Sequence, residues 1–202
     1  KDEIIVKNEY GFFEIKNKPS KKELQEYYAN KYYQEAQGSY ELSYDKAEIK
    51  YLLNKIEQKH VVAKTISNIE TGSLLDVGSG EGFTLSHFDN LGWDCLGLDF
   101  SSEGIKSQNP EQARLLIQGD IFENLNDIIK DDKKFDLIVL DNVLEHVLKP
   151  FELLANLNKI ISDDGILVVD VPNDFSLFQK YLTGNNYIDR EFWISPPDHL
   201  SY

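Results

Sequence analysis

An α/β domain on a doubly wound, mainly parallel sheet is the fold class that this sequence predicts, from three observations. From residue 73 onward, short apolar runs alternate with amphipathic stretches, the rhythm of strands followed by helices. The first run, Ser73 to Val77, is apolar enough for a strand buried on both faces. It leads into Gly78-Ser79-Gly80-Glu81-Gly82, a glycine-rich bend at the carboxyl end of a strand, where open α/β sheets bind ligands.

Bulk properties fit that class. The 202 residues are enough for one such domain with a sizeable core and some extra chain. Hydrophobic content of 41% and charged content of 28% are those of a soluble globular protein. A net charge of −14 argues against nucleic acid and against an anionic membrane surface as partners, and solubility alone accounts for it. The one cysteine, Cys95, excludes an internal disulfide and a cysteine-built zinc site; its apolar surroundings mark it as core filler. No stretch approaches ~20 consecutive apolar residues and Lys1 to Tyr10 has no signal-peptide pattern, so no membrane span and a cytoplasmic location are expected. Because the chain opens on Lys1, a trimmed N-terminus is expected.

Residues 1–44 read as an N-terminal extension. Ile4-Ile5-Val6 and Gly11 to Ile15 pair as a short hairpin, and the Ser20 to Glu23 spacing is a capping box for a helix over about 21–36. On that helix Tyr28, Tyr32 and Tyr33 share a face and pack on the main domain, residues 45–202. A long helix follows over about 45–69, apolar at Ile49, Leu52, Leu53, Ile56, Val61 and Ile66. Beyond the central strand at 73–77, strands are expected at about 93–99, 114–118, 135–141 and 165–171. Helices fit between them at about 83–91, 102–107, 122–129 and 150–161. Pro150 suits a first helical turn, and Asp163-Asp164-Gly165 reads as a stop and turn. After Val171 come a helix over about 174–182, a turn at Gly184-Asn185-Asn186 and a loop with Pro196-Pro197.

The surroundings of the glycine bend narrow its ligand. A phosphate-gripping Walker loop needs Gly-Lys-Ser/Thr, and here Phe83 and Thr84 follow Gly82. A dinucleotide fingerprint needs Gly-x-Gly-x-x-Gly, but Phe83 stands where its third glycine belongs. Asp76, two residues before the first glycine, would repel a pyrophosphate and suits a ligand with an amine or hydroxyls. Asp99 ends the second strand, 21 positions after Gly78, the place of the acid that takes a ribose hydroxyl pair. Two acceptor oxygens suit two adjacent hydroxyls. Phe100 is placed to stack on a base.

Asp76-Val77-Gly78-Ser79-Gly80-Glu81-Gly82 resembles motif I of the class I S-adenosylmethionine-dependent methyltransferases. The resemblance covers about residues 72–173. Asp141-Asn142-Val143-Leu144-Glu145-His146-Val147 with Val171-Pro172-Asn173 is most similar to the subgroup of ubiquinone-pathway O-methyltransferases and deoxysugar methyltransferases. Pro196-Pro197-Asp198-His199-Leu200-Ser201-Tyr202 resembles a segment of members linked to sugar and surface-glycan synthesis. The resemblance implies a Rossmann-like methyltransferase fold, S-adenosylmethionine as cofactor and S-adenosylhomocysteine as product. It implies a small hydroxylated acceptor, with a sugar or surface-glycan precursor favoured. Cofactor contacts are implied at Asp76, Gly78, Ser79, Gly80 and Gly82, and at Asp120 and Ile121 beside the adenine amine. Asn142 and Val143 would border the methyl group, and a hydroxyl such as that of Tyr33 would reach the amino-acid end. Family members usually carry seven strands ending in an antiparallel pair. No sixth or seventh strand can be read before Tyr202, so a C-terminally truncated domain with a sheet edge in need of cover is expected, and a homodimer stays open.

Methyl transfer to a hydroxyl needs alignment of acceptor and methyl, plus a base. His146 is the first candidate base, because imidazole titrates near working pH. Glu145 beside it would orient the ring or touch substrate, and His199 is a second candidate on a loop that would close over the acceptor. His60 and His87 fall in helical patterns and read as structural; no cluster has metal-ligand spacing along the chain, and no metal is expected. Two rival readings remain: a nucleotide-dependent oxidoreductase, which Phe83 disfavours, and a non-catalytic S-adenosylmethionine-binding module.

Overall fold

A computed structural model of the chain describes residues 4–27, 44–190, 194 and 196–202. Tyr28, Tyr32 and Tyr33 lie outside the described residues. The expected hairpin is present: β1 (Ile5–Lys7) pairs antiparallel with β2 (Phe13–Ile15), Ile5 opposite Ile15. Helix α1 (Lys21–Tyr27) opens on the capping box, with Ser20 N donating to Glu23 Oε2 at 2.7 Å and Glu23 N to Ser20 Oγ at 3.3 Å.

Helix α2 (Lys46–Ser67) opens on a second capping box, Asp45 with Glu48, and ends at Asn68 in the left-handed region, φ +59°. Its packing face differs from the expected one. Ile56 and Ala63 are buried, whereas Leu53, Val61 and Ile66 are exposed. The face that meets the sheet runs through Ile56, His60 and Ala63, one turn apart, and Val61 and Ile66 point away from it.

The main sheet continues with β3 (Ser73–Val77), α3 (Phe83–Asn90), β4 (Asp94–Asp99), α4 (Glu103–Gln108) and a 3₁₀ turn at Pro110–Leu115. Then come β5 (Leu116–Gln118), α5 (Ile121–Lys130), β6 (Phe135–Asp141), a 3₁₀ turn at Leu144–His146, α6 (Pro150–Ile160), β7 (Ile161–Asp170) and α7 (Leu177–Gly184). The order is β5-β4-β3-β6-β7 and every neighbouring pair is parallel. The order reverses beside β3, so the glycine bend after β3 falls at the switch point.

Side-chain alternation divides the core. Leu75, Val77, Ile138 and Leu140 pack with Leu125, Leu153 and Leu157 of α5 and α6. Leu74, Leu137 and Val139 turn to the other face, against Ile56, Leu85, Phe88 and Trp93. Cys95 is buried there, its thiol pushed up to about 12 chiefly by burial, which leaves it inert packing.

Asp163-Asp164-Gly165 does not end the helix as a separate turn. The strand begins at Ile161, opposite Phe135, and the register then jumps to Leu137 opposite Ile166. The extra residues form an irregularity inside β7. Gly165 lies in its tightest part, where a Cβ would come within 2.7 Å of Ile161 and 3.0 Å of the Phe135 carbonyl.

Among the described residues no strand pairs with the outer edge of β7. The residues before Tyr202 pair elsewhere, with the hairpin. Phe13 N donates to Tyr202 O and Tyr202 N to Phe13 O, at 3.0 and 2.7 Å, and Ile15 N donates to Leu200 O at 3.0 Å. Ile15, Leu24 and Leu200 form a small core beneath, with Leu148 and Tyr202 against it.

Ile138, with no exposed surface in the middle of the sheet, should lose ~2–5 kcal/mol of unfolding free energy on Ile138→Ala. Urea denaturation reads this directly, and a loss under ~1 kcal/mol would mean that the two packed faces are not the source of stability.

Candidate active site

The central strand ends in an acid and then bends sharply. Gly78 and Gly82 hold φ of +75° and +76°, where a side chain is strained. Space forbids one as well: a Cβ on Gly78 would lie 2.3 Å from Val143 Cγ2, and one on Gly82 2.6 Å from Ile105 Cγ1. Gly78 N and Ser79 N both donate to Leu98 O, at 2.7 and 3.1 Å, tying the bend to β4.

Asp99 completes the tie. Its Oδ2 accepts from Gly80 N at 2.8 Å and its Oδ1 from Ser101 N at 2.9 Å. Burial raises its pKa, and the backbone donors Ser101, Gly80 and Phe100 work against that rise. Each oxygen keeps acceptor capacity after one hydrogen bond. Gly80 and Asp99, brought together in the sequence by spacing alone, share one cavity.

That cavity, about 560 Å³, opens over the carboxyl ends of β3, β4 and β6. Of the residues expected to bind cofactor, Gly78, Gly80, Asp99, Phe100, Asp120, Ile121, Asn142 and Val143 line it. His146 also lines it; Asp76, Ser79, Gly82, Glu145 and His199 do not. Ser79 turns its hydroxyl inward to the Asp76 carbonyl, 2.9 Å, where it packs on Gly97. Gly82 serves as the first residue of the α3 cap. Both shape the bend from behind.

Asp76 is buried beneath it. Its pKa is pushed up to about 8, first by burial and then by the Asp141 and Asp99 charges, with Lys59 opposing. Lys59, a cation on the packed side of α2, reaches Asp141 Oδ2 and, at 2.9 Å, Asp170 Oδ2. Sequence reasoning missed Lys59 and Asp141; the available signals were a lysine on an apolar helix face and a third acid at a strand's carboxyl end. Asn142 follows in the left-handed region, φ +52°, an uncommon conformation that asparagine tolerates. Its N–H donates to Asp170 O and its side chain to Asp141 Oδ1, both at 2.9 Å.

Asp120 reaches the cavity with its carboxylate already engaged. Oδ1 accepts from Phe122 N and Glu123 N at the start of α5, and Oδ2 lies 2.9 Å from Lys21 Nζ. The N-terminal helix thus borders the site through Lys21 and Leu24.

His146 rests on the final segment. Its Nδ1 donates to the Asp198 carbonyl at 2.8 Å and lies 3.2 Å from Asp198 Oδ1. A carbonyl can only accept, so the proton sits on Nδ1 and Nε2 is the proton-accepting atom of the neutral ring. Burial disfavours the charged ring, but the Asp198 hydrogen bond and the Asp198 and Glu145 charges outweigh it and raise the pKa. Glu145 is buried, Oε1 3.6 Å from His146 Nε2, and neither oxygen has a hydrogen-bond partner among the described residues. Its own pKa is raised, chiefly by burial.

The loop expected to close over an acceptor is instead packed down. Leu200 N and Ser201 N donate to the Glu145 carbonyl at 2.7 and 3.2 Å, and His199 is buried behind His146, ring centroids 4.7 Å apart. Burial and the neighbouring His146 charge push the His199 pKa down to about 4, so this ring is neutral at pH 7. The fold also gathers two sets of donor atoms that spacing along the chain did not reveal. Glu145, His146 and His199 are one; Glu57, His60 and His87 are the other, each with its donor atoms within 4.8 Å.

A glycine bend at a parallel-sheet switch point, faced by an acid on the next strand, defines a nucleoside-binding α/β domain. A family described as "Methyltransferase domain" matches residues 44–202, and the chain belongs to it. The chain is 26% identical over 138 residues to a ubiquinone biosynthesis O-methyltransferase of Rhodopseudomonas palustris, covering 68% of this chain and 54% of the relative. A protein of the same name from Glaesserella parasuis is 28% identical over 129 residues, covering 61% and 54%. The chain therefore spans about half the length of these relatives. A SAM-dependent methyltransferase from Archaeoglobus fulgidus shares the fold at a TM-score of 0.55, with 20% identity, over 73% of this chain and 63% of that one. No helix among the described residues is long and apolar enough to cross a membrane.

Two titrations follow. Folded Asp76 keeps its proton where an unfolded aspartate has lost it, so its burial costs stability increasingly as pH rises from about 4 to about 8. Asp76→Asn should therefore gain on the unaltered protein across that window in denaturation experiments; a constant difference would remove Asp76 as a buried acid. In NMR titration, Asp198→Asn should lower the His146 pKa, and an unchanged value would show that Asp198 does not hold the ring.

Proposed function

We propose that the chain transfers a methyl group from S-adenosylmethionine to a hydroxyl oxygen of a small acceptor, releasing S-adenosylhomocysteine. The observation that carries this reading is the shared cavity of the glycine bend and Asp99, in a chain of the methyltransferase family. The residues fit an adenosyl group: backbone bared at Gly78 and Gly80, a buried carboxylate with acceptor capacity for two ribose hydroxyls, and the apolar Phe100, Ile121 and Val143 for the base and methyl surroundings.

When bound, the cofactor supplies the methyl on a sulfonium, whose leaving group departs neutral and needs no acid. The chain's own residues then have two tasks. Val143 and Asn142, fixed by the Gly78 contact and the Asp170 carbonyl, align the acceptor side of the cavity. His146, with its proton held on Nδ1 by Asp198, takes the acceptor's hydroxyl proton at Nε2. Glu145 and His199 act through that ring, Glu145 favouring the imidazolium that forms.

Polar groups of Asn126, Lys149 and Glu152 also line the cavity, which supports a hydroxyl-rich acceptor such as a sugar or glycan precursor. The relatives' names, O-methyltransferases of ubiquinone biosynthesis, support oxygen as the methylated atom.

Calorimetry with S-adenosylhomocysteine, NAD and ATP tests the reading. Only the first should bind, and Asp99→Ala should weaken it by ~1–3 kcal/mol through the unpaired ribose hydroxyls. Binding of NAD instead, or unchanged affinity in the variant, would contradict the assignment.

A further inference from the structure

Helices α2 and α3 meet on one face of the sheet and bring Glu57, His60 and His87 together, none of them on the cavity wall. Glu57 and His60 are three residues apart on α2 and so share a side of it; His87 comes from α3. His87 Nε2 stands 3.3 Å from His60 Nδ1 and 3.4 Å from Glu57 Oε2, and the three donor atoms lie within 4.8 Å of one another. The two rings meet edge to face at 78°, centroids 5.4 Å apart. An imidazole-to-imidazole hydrogen bond explains one of these distances and not the pair. His87 Nε2 thus faces two atoms with lone pairs at once, His60 Nδ1 and Glu57 Oε2.

Three donor atoms around one point is the arrangement that a cation completes. With bonds of about 2.0–2.2 Å, the ligand atoms of a tetrahedral zinc ion stand roughly 3.3–3.5 Å apart, which is the spacing His87 Nε2 keeps to both neighbours. Two imidazoles and one carboxylate suit a divalent first-row transition ion; magnesium and calcium prefer oxygen shells.

We propose that Glu57, His60 and His87 form a three-ligand site for a divalent transition-metal ion, zinc above all, which clips α2 to α3. Glu57 is half-exposed, so the ion has an entry path and a fourth position for water. Since Gly82 caps α3, the clip would brace the helix that follows the glycine bend. An ion bound only by the folded chain raises its melting temperature by mass action. This site is independent of methyl transfer.

Zinc titrated into the full chain by calorimetry, with magnesium as control, tests the proposal alongside the melting temperature. One zinc equivalent, a higher melting temperature and no response to magnesium are expected. Affinity should fall at least tenfold in His87→Gln and in the surface variant Glu57→Gln, which guards against a folding defect. Because Glu145, His146 and His199 are a second set of donors, His199→Gln is measured in parallel. Zinc binding that survives in Glu57→Gln and His87→Gln but is lost in His199→Gln overturns the proposal, as does no binding to the unaltered chain. Cobalt(II) gives a further readout: visible bands of a tetrahedral centre, lost in Glu57→Gln, support the site, and bands unchanged by that substitution overturn it.

Discussion

The Asp99 carboxylate, held between the N–H groups of Gly80 and Ser101, is the interaction on which the rest of this structure depends. It joins the ends of β3 and β4, beside the place where the strand order reverses. Burying a carboxylate is costly, and the raised pKa of Asp99 records that cost. The cost is tolerable because three backbone donors face the charge. With the bend anchored, Gly78 can lie against Val143 and the cavity takes its shape from both. The same strand ends gather Asp76 and Asp141, and Lys59 from α2 offsets part of that negative charge.

A second constraint acts on the opposite side of the cavity. The segment from Asp198 to Tyr202 is held at both edges: its backbone pairs with β2 of the hairpin and also donates to the Glu145 carbonyl. This double attachment puts the Asp198 carbonyl against His146 Nδ1 and so selects the ring's tautomer. The hairpin thus supports the segment that holds the residue proposed as the base. The hairpin is a support for the site, and Leu24 and Lys21 carry it to the cavity wall.

Much of this was legible in the sequence, for physical reasons that can be named. Ser73 to Val77 and Phe135 to Asp141 are buried on both faces, so their composition marked them as strands with the observed bounds. Gly78 and Asp99 were found because a bend and an acid at fixed spacing report a backbone need and a charge. The rest depended on contacts distant in sequence. Nothing in the periodicity of α2 told which of its two apolar stripes would pack, and Val61 and Ile66 proved to be on the exposed one. Ser79 and Gly82 belong to the motif yet serve the bend from behind, a difference of side-chain direction that spacing cannot express. Asp120 turned out to cap α5 and pair with Lys21, which no local pattern links to it. His199 lay one residue from the true partner of His146, and the Glu57, His60 and His87 group comes from two helices.

The central claim is that an adenosyl group occupies the cavity between the glycine bend and Asp99. The most direct measurement is an amide chemical-shift map of the isotopically labelled chain titrated with S-adenosylhomocysteine. The account predicts the largest shifts at Gly78, Gly80, Asp99 to Ser101 and Ile121, with small ones on the outer face of α2. Shifts confined to other surfaces, or none at saturating ligand, would contradict it.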